Sequence, residues 1–148
     1  MPDSHKVVRY GHDHLITHED DADEEIRAGD LVERTGTGVQ RQSTDAEQLE
    51  QVLVALDARQ RGMELGDSYP SGDAVRYAEA VAGGMHLQLA AGENVTEDTE
   101  LVANGNGAVR AFDSANDARD AILAVAAEDL DNSGGADRTP IATEVANA

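Results

Sequence analysis

The chain has 148 residues, with 30 Asp and Glu against 11 Lys and Arg, five His, no Cys and a formal charge of −19. That length holds one compact unit or two very small ones. The charge excludes nucleic acid and an anionic membrane as partners of the folded surface, because phosphate binding needs Lys and Arg to neutralise the backbone.

In chain order, residues 1–5 form a polar tail, and the start MPDSHKVVRY lacks the apolar stretch of a secretory signal. No later run approaches the ~20 apolar residues of a membrane span, so the chain reads as soluble. Lys6-Val7-Val8-Arg9-Tyr10 is the first short mixture of apolar and polar residues with β character. The acidic run from His18 to Glu25 reads as a solvated loop. Asp30-Leu31-Val32-Glu33-Arg34 and Val39-Gln40-Arg41-Gln42 read as strands separated by the turn Thr35-Gly36-Thr37-Gly38.

Ser43 to Arg61 fits two patterns. Thr44 and Glu47 make a capping box, and Leu49, Val52, Leu53 and Leu56 fall at helical spacing. Comparison with Ala115 to Asp120, which runs into Ala121-Ile122-Leu123-Ala124-Val125-Ala126-Ala127, favours a helical turn followed by a buried strand in both places. The second half repeats the β pattern in Ala74 to Ala78, Met85 to Leu89, Glu100 to Ala103 and Ala108 to Phe112. Alternation there turns His86, Gln88 and Arg110 to water and Leu87, Leu89 and Val109 to a core. Leu130 to Pro140, rich in Asp, Asn, Ser and Gly, reads as loose, and Ile141 to Val145 as a closing strand.

The halves echo one another in order. Val8-Arg9-Tyr10 recurs as Val75-Arg76-Tyr77, His14-Leu15 as His86-Leu87, Leu31-Val32 as Leu101-Val102, and the TGTG turn as Asn104-Gly105-Asn106-Gly107. The pattern predicts a mainly β fold: two tandem small barrel or sandwich units, with short helical turns and an extended N-terminal arm. The boundaries expected are residues 1–72 for the arm and first unit and 73–148 for the second.

Ten of the eleven basic residues are Arg, the core candidates are mostly Ala, Val and Leu, and the only aromatics are Tyr10, Tyr69, Tyr77 and Phe112. This composition resembles that of proteins from salt-loving archaea. At molar salt the screening length falls to about 3 Å, so self-repulsion largely disappears. A disordered acidic chain is the alternative, and the regular apolar runs argue against it.

Candidate chemistry is sparse. Without cysteine there is no disulfide, thiol nucleophile or thiolate metal site. His12, His14 and His18 lie beside Asp13, Glu19 and Asp20, and an extended His-x-His puts two imidazoles on one side, as a metal pair requires. A polar strand next to an acidic loop explains the same residues. Asp129, Asp131, Ser133 and Gly134 open like a calcium loop, but the twelfth position is Pro140 where a bidentate Glu should stand. The metal candidates are therefore His12, His14, Asp129 and Asp131. Asn94-Val95-Thr96 is a formal glycosylation sequon. The glycine turns lack the spacing and Lys of a phosphate loop, and Ser43, Ser68, Ser71, Ser114 and Ser133 have no His nearby. Neither enzyme activity nor a cofactor is expected.

Ala28-Gly29-Asp30-Leu31-Val32, its partner Ala91-Gly92-Glu93-Asn94-Val95, the glycine turn and short strand after it, the Ala-rich strand ending at Asp129 and the Val-rich close form a familiar order. It resembles the small β-barrel decoration proteins of tailed-virus heads, the family of the phage lambda head decoration protein; Ala90 to Val95 is its most typical stretch. The resemblance covers most of the second half and, more loosely, the first, and a doubled barrel departs from the single-domain pattern. It implies a cement role, with the major capsid protein as partner and homo-trimers seated on the outer capsid surface of a virus of a halophilic archaeon, assembled in the host cytoplasm. It also implies that residues 1–18 form the interface, with His5, Lys6, Val8, Arg9, Tyr10, Arg76 and Tyr77 as contact candidates. Two alternatives stay open: a vertex turret or fibre-base protein of the virion, and a cellular halophilic metal-binding or enzyme domain.

Overall fold

The structure is a computed structural model that describes residues 7–10, 16–58, 63–80 and 83–145, with the Tyr10 side chain left aside. Among these residues the regular structure is almost all strand. The first half carries β1 (Val8–Tyr10), β2 (Thr17–Asp21), β3 (Ile26–Arg27), β4 (Leu31–Arg34), β5 (Val39–Arg41), β6 (Leu53–Ala55), β7 (Ser68–Tyr69) and β8 (Ala74–Glu79). The second carries β9 (Gly83–Leu89), β10 (Asn94–Val95), β11 (Glu100–Ala103), β12 (Val109–Ala111), β13 (Ala124–Ala126), β14 (Leu130–Asp131) and β15 (Thr139–Val145). The fold is mainly β, as the alternation predicts.

Five strands pair in the order β2-β8-β6-β4-β5, and a parallel bridge from Ala22 to Val39 returns β5 to β2 and closes a small barrel. The closure depends on a missing side chain. Gly38, which ends the TGTG turn, packs so near β2 that a Cβ there would lie 2.0 Å from the Asp21 carbonyl oxygen. The same turn is held by Thr35 N–H donating to Gly38 O at 2.8 Å. The run His18 to Glu25, read from its charge as a loop, instead supplies β2. Its backbone zips antiparallel onto β8 from Thr17 opposite Ala78 to Asp21 opposite Ala74 while most of its side chains stay in solvent. Charge density describes the side chains of such a strand and says nothing of its backbone pairing.

The second half closes in the same way. β9, β12, β11, β13 and β15 pair in that order, and β15 returns to β9 along its whole length, Thr139 opposite Leu89 and Val145 opposite Gly83. The parallel contact is again single, Val109 opposite Leu89. Each half also carries a two-stranded ribbon, β3 with β7 and β10 with β14. Leu31 pairs with Val54 as Leu101 pairs with Ala124, so the Leu-Val echo marks equivalent strands. Two other echoes do not. Val8-Arg9-Tyr10 lies on β1, which adds to the edge of β9, whereas Val75-Arg76-Tyr77 lies on β8, which completes the first barrel beside β2. Glu93 corresponds to Glu24 and not to Asp30: the Glu24 carboxylate accepts the Arg41 N–H at 3.0 Å, and that of Glu93 accepts the Ala111 N–H at 2.8 Å. Sheet membership thus crosses residue 72 in both directions, with β8 in the first barrel and β1 on the second.

Of the two patterns in Ser43 to Arg61, the strand prevails: Leu53–Ala55 is fully enclosed as β6. The helical turn does not form ahead of it, and Asp45 bridges to Asn104 of the other half instead. Its counterpart keeps one 3-10 turn, Arg119–Ala121, before β13. Leu130 to Pro140, expected loose, contributes β14, the buried Asn132 and the start of β15.

The alternating faces of the strands sort into two apolar clusters. Val32, Leu53, Ala55, Val75, Tyr77, Ile26, Val39 and Tyr69 form one, all from β8 and the elements before it. The other is continuous across both halves, with Leu31, Val54 and Ala78 alongside Met85, Leu87, Leu101, Ala124, Ile141 and Val145. Gly38→Ala should lower the melting temperature, since overpacking against backbone costs about 1–3 kcal/mol. Gly36→Ala, at a position with open space around it, is the control expected to leave thermal unfolding unchanged.

Candidate functional site

The tightest polar assembly lies where the halves meet. Ala28-Gly29-Asp30 turns from β3 into β4, and Gly29 takes φ +95°, a conformation suited to glycine. A Cβ there would lie 3.1 Å from the His86 carbonyl oxygen of β9, so the two halves touch at backbone range. The turn aims Asp30, fully buried, at Arg138 ahead of β15. Arg138 Nε donates to Asp30 Oδ1 at 2.7 Å and Nη2 to Oδ2 at 2.8 Å, a two-pronged pair. The Arg27 N–H also donates to Asp30 Oδ2 at 2.8 Å. Arg27 itself pairs with Asp137 and donates to the Arg138 carbonyl at 3.1 Å.

Burial raises the Asp30 carboxyl above its ordinary range, and the hydrogen bonds from Arg138 and from the Arg27 backbone oppose that rise. Burial likewise works against the charge of Arg138, but its bonds to Asp30 win and its pKa is raised. Gln88, expected to face water, is fully buried beside this pair and donates from Nε2 to the Ala28 carbonyl at 2.8 Å. Alternation along β9 turns Gln88 away from the Leu87 face, but the first half covers that side as well. Sequence reasoning missed Asp30, Arg138 and Gln88 as a unit because Asp30 and Arg138 are separated by 108 positions.

The expected contact residues fall into three groups. His5, Lys6 and the Tyr10 side chain, with the metal candidates His12 and His14, lie outside the described residues. Val8 and Arg9 are used within the chain. The preceding Val7 is buried, its N–H donates to Asp57 Oδ1 at 3.1 Å, and its carbonyl accepts the His86 N–H at 2.6 Å. Arg9 donates to the Thr143 carbonyl at 3.0 Å and pairs with Glu144. Burial, with Arg9 nearby, lowers the His86 pKa and favours its neutral form. On β8 Arg76 is exposed, but Tyr77 is fully buried, which corrects its assignment to an outer contact. Its ring stacks on His18 at 5.4 Å between centroids, and its hydroxyl donates to Asp20 and accepts from Arg34 Nε at 3.0 Å. An aromatic in this sparse core is taken up by packing.

Asp129 and Asp131 serve turns. Asp129 Oδ1 accepts the Glu97 N–H at 2.8 Å, and Asp131 Oδ1 accepts both the N–H and the hydroxyl of Ser133. Those two Ser133 bonds hold the Asp131 pKa below its ordinary value. Among the described residues no group of three or more His, Asp or Glu is placed to hold a metal ion. Asn94 of the sequon is exposed on β10. Elsewhere carboxylates bind their own backbone and Arg partners. Asp117 receives Arg110 through Nη1 at 2.8 Å and Nη2 at 3.0 Å and also the Asp113 N–H, and these bonds, Arg110 first, lower its pKa. The Arg41 side chain likewise lowers that of Glu24. No helix of the described residues is long and apolar enough to cross a membrane.

No protein-family model matches the chain, and no curated protein matches it in sequence. Among solved structures it is similar in fold to the head fiber gp8.5 N base of bacteriophage phi29, at a TM-score of 0.55 and 10% identity, covering 88% of this chain and 93% of that one. The likeness thus extends over nearly the whole of both chains.

Two measurements probe this chemistry. Arg138→Met alone leaves Asp30 buried without its partner and should destabilise by about 3–5 kcal/mol, while pairing it with Asp30→Leu should recover most of the loss. Thermal unfolding in molar salt reads both. For pH, the Asp117 pKa is depressed on folding, so its contribution is complete above its unfolded value of about 4 and is lost as pH falls through the lower folded value. The melting-temperature gap between the native chain and Asp117→Asn should therefore be constant near neutrality and close on acidification.

Proposed function

We propose that this chain is a structural protein of a virus particle, carried on the outside of the head of a tailed virus whose host lives in brine. In this reading it catalyses nothing. What supports it most is the correspondence, across 88% of the chain, with the base of a phage head fiber. The glycine-centred order from Ala90 to Val95 and onward, similar to head decoration proteins, supports it from the residue side. The acidic surface fits an exterior bathed in concentrated salt, where its repulsion is screened.

The finer role follows from what the fold offers. Two barrels that share a buried cluster form a rigid block, suited to bridging neighbouring shell subunits as a cement. The likeness to a fiber base favours a second reading, in which the same block sits at a vertex as a platform. Purified protein mixed with expanded heads in molar salt should co-sediment with them, and image reconstruction should show added density outside the shell. Failure to bind heads at any salt concentration would overturn the virion reading. A trimer at local three-fold positions identifies a cement, and a ring at the five-fold vertices identifies a base.

A further inference from the structure

The two barrels present equivalent strand edges, and among the described residues one of them is covered by a further strand and the other is not. Asp23 N–H donates to the Val39 carbonyl at 2.8 Å, and Ala90 N–H to the Val109 carbonyl at 2.9 Å, which fixes how β2 and β9 correspond. Four residues before these donors, on the same edges, stand Glu19 and His86. His86 N–H donates to the Val7 carbonyl at 2.6 Å, and Val8 lies opposite Met85, so β1 covers that stretch of β9.

The matching stretch of β2 carries no strand among the described residues. Ala22 N–H donates to the Asp73 carbonyl, and Glu79 N–H donates to the Ile16 carbonyl. In the antiparallel register with β8, the even-numbered residues of β2 therefore face β8, and Thr17 and Glu19 turn their N–H and C=O groups away from it. Such an edge is a template for a further strand.

The charge around the edge selects its occupant. Thr17, Glu19, Asp20 and Asp21 are exposed, so a second copy of β2 would set carboxylates against carboxylates. The sequence around β1 is of opposite character: Lys6-Val7-Val8-Arg9 carries two basic residues in a chain with only 11. We propose that this edge of β2 is a docking site for an extended strand of a partner protein that carries Lys or Arg. Backbone hydrogen bonds to Thr17 and Glu19 would set its register, and the acidic side chains its charge. The docking does not depend on where the protein is carried.

The probe is a synthetic peptide copying residues 4–11, offered to the full-length protein at low and at molar salt, with backbone amide NMR as the readout. The expected result is shifts and hydrogen-exchange protection centred on Thr17 and Glu19. Glu19→Pro, which removes an N–H that β8 does not use, should weaken binding about tenfold or more. Should that variant fail to fold, Glu19→Lys with Asp21→Lys tests the same edge through charge and should abolish binding at low salt. Absence of binding, shifts confined to β9 with release of β1, or equal binding of a peptide with Glu in place of Lys and Arg would each overturn the proposal. So would pairing of two copies through β2.

Discussion

A buried carboxylate and a buried guanidinium can persist in an apolar interior only if each satisfies the other, and Asp30 and Arg138 do so across the junction of the two halves. Asp30 stands in the turn into β4, in the first barrel, and Arg138 just ahead of β15, in the second. Neither barrel can therefore fold to completion with its own polar groups satisfied. The same dependence runs through Gln88, on β9, which reaches back to the Ala28 carbonyl, and through Gly29, whose lack of a side chain permits the approach. The junction is specified by polar geometry as well as by apolar contact.

Packing adds to that dependence. A domain of ~75 residues has little core, and these barrels are built largely from Ala, Val and Leu with few large side chains. The cluster that joins Leu31, Val54 and Ala78 to Leu101, Ala124 and Ile141 offsets the shortage by letting one face of the first sheet serve the core of the second. Where the first half has a cluster of its own, two tyrosines anchor it, Tyr69 bonding to the Leu56 carbonyl and Tyr77 to Asp20 and Arg34. Half of the chain's four aromatic residues sit in that one cluster, and this is why Tyr77 is unavailable as an outward contact.

The strands were legible wherever alternation and a glycine turn coincided, as in β4 with β5 and β11 with β12, because those signals are local. β2 was not, because its acidic side chains describe the surface while its pairing with β8 is a property of residues nearly sixty positions away. Connectivity was half legible. Leu31-Val32 and Leu101-Val102 mark equivalent strands, but Val8-Arg9-Tyr10 and Val75-Arg76-Tyr77 do not, since a three-residue β pattern fits any half-buried strand. The polar seam left no trace in local pattern. Asp30 was visible only as part of a glycine-centred phrase, and Arg138 lay in a stretch whose composition resembles a loop.

The distribution of charge follows from the same accounting. Arg27, Arg41, Arg110 and Arg138 each bind a carboxylate, and Arg34 binds Tyr77, so much of the scarce positive charge is committed within the chain. Arg suits this use because its planar fork makes paired hydrogen bonds that Lys cannot, which matches a composition of ten Arg to one Lys. Among the described residues most of the other carboxylates are exposed. A surface of that kind offers few cationic side chains for binding an acidic partner, and screening by salt weakens whatever charge attraction it does have. Under those conditions specific attachment falls to contacts that salt does not screen, namely backbone edges and apolar burial. β1 on β9 already joins in that way, through the Val7 carbonyl, the Val7 side chain and the ladder opposite Met85.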